Sequence, residues 1–235
     1  MAEPMAPGQS SRALVDIRDR WLSATTTMLR QDEAVVGAAL VGSLGSGRAD
    51  DWSDVDLLVV VEDAHLDSRA TALPDFGGPV FDVDARHNGP VGTRAVSAQY
   101  VVDGLPLWVD WHIHPMSRAS WPSDSAVLFE RRAISRTSVT FTAYLNHGEH
   151  ERATPKTAAD GAAMRLALVP VAAKQVARCS PGAAQTIAFL GGALVADADR
   201  PAQVAALRQL LDGFETLGRS DSLAAGRAYV DLLDS

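Results

Sequence analysis

The chain has a single cysteine, Cys179, in 235 residues. No disulfide can form within it, and a reducing, cytoplasmic setting is the expectation. Lysine is scarce as well: Lys156 and Lys174 are the only two, and arginine supplies the other positive side chains. The 21 bases face 29 acids, for a formal net charge of −8. That balance argues against a nucleic-acid partner, because neutralising phosphates needs basic surface, and it suits a small cationic partner. No apolar run approaches the roughly 20 residues that a membrane span needs. Residues Met1–Gly8 contain neither a basic region nor an apolar stretch, so no signal peptide is expected. There is no internal repeat and no low-complexity tract. What is present is ordinary for a globular protein, with 47% hydrophobic and 21% charged residues. The length suits one large domain or two small ones.

Against that plain background one arrangement stands out. Leu40-Val41-Gly42-Ser43 ends an apolar run, and ten residues later the chain reads Ser53-Asp54-Val55-Asp56 followed by Leu57–Val61. Asp54 and Asp56 are two apart in a strand pattern, so both carboxylates project from one face while Val55 and Leu57 point into a core. Paired carboxylates repel, and a hard cation such as Mg2+ compensates, usually arriving with a substrate's phosphates. The Gly-Ser turn offers close backbone approach, N–H groups and a hydroxyl to phosphate oxygens. A third carboxylate, Asp110, sits inside the apolar run Leu107–Ile113. If the two strands are neighbours, three acids converge, and the set suits metal-assisted phosphoryl or nucleotidyl transfer.

The coarse reading predicts an α+β fold. Residues 1–10 read as a loose tail, 11–30 as an amphipathic helix, and 34–41 and 54–61 as buried strands. A short helix over 65–73 and a strand over 80–85 follow. Asp103-Gly104 between Val96–Val102 and Leu105–Ile113 is a hairpin signal, and Ala126–Phe129 reads as a short strand. Beyond about Thr137 only helical patterns occur, near 138–147, 156–178, 182–195, 200–217 and 222–233. Pro170 kinks the second pattern or starts a new helix, and Ser180-Pro181-Gly182 reads as a cap with proline at the first helical position. The expectation is a mixed sheet with helices over 11–136, a helical bundle over 137–235, and a site in the cleft between them.

The motif set resembles the nucleotidyltransferase superfamily that includes DNA polymerase β: an apolar strand, Gly-Ser, a short helical spacer, Asp-x-Asp, and a later strand bearing a third acid. The matching residues are Gly42, Ser43, Asp54, Asp56 and Asp110, within roughly residues 34–115. The resemblance implies that Gly42 and Ser43 hold a nucleoside triphosphate, with Ser43 on the β- or γ-phosphate. It implies that Asp54 and Asp56 bridge two divalent cations, and that Asp110 binds the second cation or acts as general base. A nucleoside monophosphate, AMP from ATP, would pass to a hydroxyl with loss of pyrophosphate. The small size and alanine-rich C-terminal part resemble the enzymes that adenylylate aminoglycoside or lincosamide antibiotics. Two other classes remain open: modification of a partner protein, as toxin–antitoxin nucleotidyltransferases do, and nucleotide binding without turnover.

Further residues join the candidate list from their positions. Arg48, after the Gly-Ser loop, and Lys174, on a C-terminal helix, are candidates for triphosphate charge. Glu130 and His112 are candidates for the acceptor side. Asp110-x-His112-x-His114, with His87, His147 or His150, has the residue types of a zinc site. Asp82-x-Asp84 repeats the carboxylate spacing but has no upstream Gly-Ser turn, and reads as a polar strand face. Trp52 and Trp121 are either packing residues or a base-stacking surface.

Overall fold

A computed structural model describes residues 10–146, 149–150, 157–215 and 218–234. The described residues fall into two compact units, one within Arg18–Tyr100 and Leu107–Pro155, the other within Met1–Ile17, Val101–Pro106 and Lys156–Ser235. The expected tail over 1–10 lies almost entirely outside the described residues.

In the first unit, six strands form one mixed sheet in the order β3-β4-β5-β2-β1-β6. These are β1 (Val35–Leu40), β2 (Val55–Val61), β3 (Phe81–Asp84), β4 (Arg94–Val102), β5 (Leu105–Pro115) and β6 (Ala126–Glu130). β1 runs antiparallel to both β2 and β6, and β3 runs antiparallel to β4. β2 and β5 are parallel, with Asp56 opposite Asp110, Leu58 opposite His112 and Val60 opposite His114. Helix α1 (Ser10–Gln31) supplies Trp21, which packs 5.1 Å from Tyr100 and 5.7 Å from Trp111 by ring centroids. Short helices α2 (Gly42–Gly45) and α3 (Leu66–Ala72) follow β1 and β2, and α4 (Phe141–Leu145) follows β6.

The burial along β2 explains how an acid comes to sit in a central strand. Val55, Leu57, Val59 and Val61 are fully buried on one face. On the other, Leu58 and Val60 join Val36, Ala39, Trp121 and Phe141 in a core, and Asp56 occupies the first position of that face, where the cover ends. β5 repeats the pattern, with Val109, Trp111 and Ile113 buried on one side and Asp110, His112 and His114 on the other. The hairpin read from Asp103-Gly104 is present: both residues have positive φ, 51° and 79°, the two-residue turn whose twist matches its strands.

The second unit is helical: α5 (Ala158–Ala167), α6 (Val169–Ala177), α7 (Ala183–Phe189), α8 (Arg200–Gly213) and α9 (Ser220–Asp231). Thr157 and Asp160 form a capping box on α5, and Pro170 begins α6 rather than kinking a longer helix. The cap expected at Ser180-Pro181-Gly182 differs in detail. Gly182 adopts φ +92° and precedes α7, so Pro181 stays outside the helix. The Asp197 carboxylate accepts from the backbone N–H groups of Gly182 and Ala184 at 3.2 and 2.9 Å. No helix among the described residues is long and apolar enough to cross a membrane.

Candidate active site

Gly42 follows β1 and packs beside the Asp56 carboxylate. It has φ +61°, and a Cβ there would lie 2.2 Å from Asp56 Oδ2. The Val41 N–H donates to the Asp56 carbonyl at 3.0 Å, which fixes the turn against β2. The Ser43 carbonyl accepts from the Arg48 N–H at 2.9 Å, and Arg48 Nε donates to Ser46 Oγ at 3.0 Å. Arg48 is exposed and Ser43 half-buried. The turn read from the sequence is thus a four-residue helix packed beside Asp56.

Asp110 lies in register with Asp56 on the neighbouring parallel strand, so both carboxylates project from one face about 5 Å apart at the backbone. Both line one cavity of about 410 Å³. Asp110 is held from two sides: Ser97 Oγ donates to Oδ1, and Trp108 Nε1 donates to Oδ2 at 3.2 Å. Trp108 in turn stacks on Phe81, 6.5 Å between centroids. Ser97, a buried residue of β4, escaped the sequence reading because a lone serine in a strand carries no local signal. Asp54 is half-buried just before β2 and does not line the cavity.

The cavity continues across β4 and β5 to His87 and Asn88, which follow β3, to Asn146 at the end of α4, and to His150. Every described lining residue belongs to the sheet unit. His112 lines it while packing edge-on to Phe141 at 4.8 Å. Burial pushes the His112 imidazole down to about 4. His114, one step deeper, falls to about 3 through burial and then through the charge of His112. It faces Tyr144, whose hydroxyl lies 3.2 Å from Nδ1.

The other sequence candidates lie elsewhere. Lys174 is half-buried on α6 in the helical unit and does not line the cavity. Glu130 lies on edge strand β6, where its Oε2 accepts from Trp121 Nε1 at 2.8 Å. Trp121 is fully buried in the core, so it packs rather than stacks on a ligand. Glu130→Ala should therefore cost about 1–2 kcal/mol through the orphaned indole N–H. The check is urea unfolding, with transfer rates expected to stay at the wild-type level. Asp84 is tied to Arg86 at 2.6 Å, and with Asp82 it lines a different, smaller cavity of about 260 Å³, in line with a polar strand face.

Among the described residues no group of three or more histidine, cysteine, aspartate or glutamate side chains is arranged to hold a metal ion. The residue types of a zinc site around Asp110-x-His112-x-His114 are not assembled into one among the described residues, and His147 lies outside them. What the chain does place together is a carboxylate pair, Asp56 and Asp110. A pair completed by substrate phosphates is the donor set that Mg2+ commonly uses, so these two residues fit a hard cation.

The family model described as a nucleotidyltransferase domain matches residues 24–134. Residues 24–134 are a nucleotidyltransferase domain. The match contains β1 to β6, the Gly42-Ser43 turn and all three aspartates, and it ends before α4 and the helical unit. No curated protein matches the chain. The α+β fold expected from the sequence is the observed one, and the nucleotidyltransferase domain implies a nucleotide substrate.

Proposed function

We propose that the protein is a Mg2+-dependent nucleotidyltransferase that moves AMP from ATP to a hydroxyl of a small molecule, with aminoglycoside and lincosamide antibiotics the first acceptors to examine. The observation that carries this reading is the in-register pair Asp56 and Asp110 in one cavity, with Gly42 packed against Asp56. Magnesium held by Asp56, Asp110 and the substrate's phosphates would supply charge stabilisation at the reacting phosphorus.

The chain's own residues divide the remaining work. Gly42 lets a phosphate approach the backbone, the Ser43 hydroxyl donates to a β- or γ-phosphate oxygen, and exposed Arg48 offsets triphosphate charge. Asp110, oriented by Ser97 and Trp108, accepts the proton of the acceptor hydroxyl. The acceptor oxygen forms its bond to the α-phosphorus as the bond to the bridging oxygen breaks, and that electron pair leaves on pyrophosphate. Holding the two reactants in line is itself worth several orders of magnitude.

The test is pyrophosphate release from ATP across a panel of these antibiotics. Release should require one acceptor class, stop on chelation with EDTA, and return with added Mg2+. Absence of ATP binding by calorimetry in the presence of Mg2+ would remove the reading altogether.

A further inference from the structure

The sheet order separates two sides of the carboxylate pair. Asp56 stands on β2; β1 with the Gly42-Ser43 turn lies on one side of that strand, and β5, β4 and β3 lie on the other. Among the described residues the cavity is lined from β2 and the second side, and none of that lining comes from β1 or α2. Beyond the carboxylates its polar lining is imidazole, amide and the Ser97 hydroxyl. None of the described lining residues is lysine or arginine.

The hydrogen bonding of that wall is incomplete. His112 is 5% exposed, and its Nδ1 is sealed from solvent without a partner. No described residue bonds its other ring nitrogen, so Nε2 is the atom left to meet an occupant. The His87 Nδ1 is likewise buried without a partner. His150 is oriented by its Nδ1 at 3.0 Å from the His87 carbonyl, and the Asn146 side-chain N–H donates to the Thr142 carbonyl at 2.9 Å. That leaves His150 Nε2 and Asn146 Oδ1 for a ligand. Orphaned buried polar atoms are costly and call for a partner.

We infer that this wall, formed by His87, Asn88, His112, Asn146 and His150, is the acceptor subsite, and that it takes a polyhydroxylated small molecule that is uncharged or cationic. The inference rests on the transferase reading above and adds to it where the acceptor sits and what chemistry it must have. Imidazoles and amides both donate and accept, which matches hydroxyl groups. An acceptor bearing phosphate or carboxylate would meet Asp56 and Asp110 with no cationic side chain on the wall to offset them. His112 shares a strand face with Asp110 two residues away, so a hydroxyl bonded to its Nε2 is placed beside that carboxylate. His112 is a positioning residue in this scheme.

The experiment is proton NMR of the histidine Cε1–H signals in the full chain, assigned with His87→Gln and His150→Gln. The probes are myo-inositol, glucosamine and glucose 6-phosphate. Glucosamine or myo-inositol should shift the His87 and His150 signals and leave exposed His65 unmoved, and glucose 6-phosphate should bind more weakly than either. Asn146→Ala and His87→Gln, neither at a fully buried position, should weaken polyol binding about fivefold to tenfold, the scale of one lost hydrogen bond. Their affinity for ATP with Mg2+, measured by calorimetry, should stay within twofold. Glucose 6-phosphate binding as well as glucosamine, absence of a shift with every polyol, or weakened ATP binding in the wall variants would each overturn the assignment. Loss of ATP binding in the wild type with the polyol shifts intact would instead strike the transferase reading alone.

Discussion

Asp56→Asn should lower nucleotidyl transfer by about a thousandfold while leaving the urea midpoint near its wild-type value. Removal of one preorganised charge-stabilising group costs on that scale, and Asp56 is the carboxylate placed against both the Gly42 turn and Asp110. The fold should survive, because the amide has the carboxylate's shape and removes one of two like charges on neighbouring strands. Gly42→Ala should reach a similar loss by another route. Its Cβ would fall 2.2 Å from Asp56 Oδ2, at a backbone φ of +61° that L residues rarely adopt. Either the turn or the carboxylate must move, and the backbone strain alone costs about 1–2 kcal/mol. Transfer rates and unfolding curves on the two variants separate the effects: Asp56→Asn changes rate only, whereas Gly42→Ala changes both. Near-wild-type turnover in Asp56→Asn would remove the carboxylate pair from the chemistry.

The strands of the sheet unit were legible because their requirements are local. A hairpin of two residues with positive φ needs Asp-Gly or its like, and Asp103-Gly104 supplies it. A central strand with one acid at its mouth shows as Asp56 ahead of an apolar run, and alternation places His112 and His114 on the face of Asp110. What could not be read was whatever depends on distant chain segments meeting. His87 and His150 stand beside Asp110 in the sequence only as residue types of a zinc site, and Asn88 and Asn146 carry no signal of their own; the cavity is what puts all four on one wall with Asp110. Glu130 is an acceptor candidate by its place after a short apolar strand, and its bond to the indole of Trp121, nine positions earlier, has no local signal in the sequence. Pro181 misled because proline favours the first helical turn, and the competing preference of Gly182 for positive φ took precedence.

Stability should fall as pH drops from 7 to 5, and fall steeply for a protein of this size. The cause is the pair His112 and His114, 5% and 1% exposed, packed against Phe141 and Tyr144 and opposite Leu58 and Val60. Burial holds the folded imidazoles at about 4 and about 3, against about 6.5 in the unfolded chain. Above pH 6.5 both states are neutral at these positions and the pair leaves stability unchanged. Between pH 6.5 and about 4 the unfolded chain binds up to two protons that the folded protein does not, so stability is lost as pH falls. Two such groups withdraw about 4 kcal/mol by pH 5, a large share of the about 5–15 kcal/mol that holds a typical domain together. Below about pH 3 the folded imidazoles protonate as well and the slope flattens. Urea unfolding followed by tryptophan fluorescence at pH 8, 7, 6 and 5 measures the slope, and His114→Asn should roughly halve it by removing one of the two protons. A midpoint unchanged between pH 7 and 5 would mean that both imidazoles find a compensating partner on protonation, and that the face of β5 behind Asp110 is wetter than its packing against α4 implies.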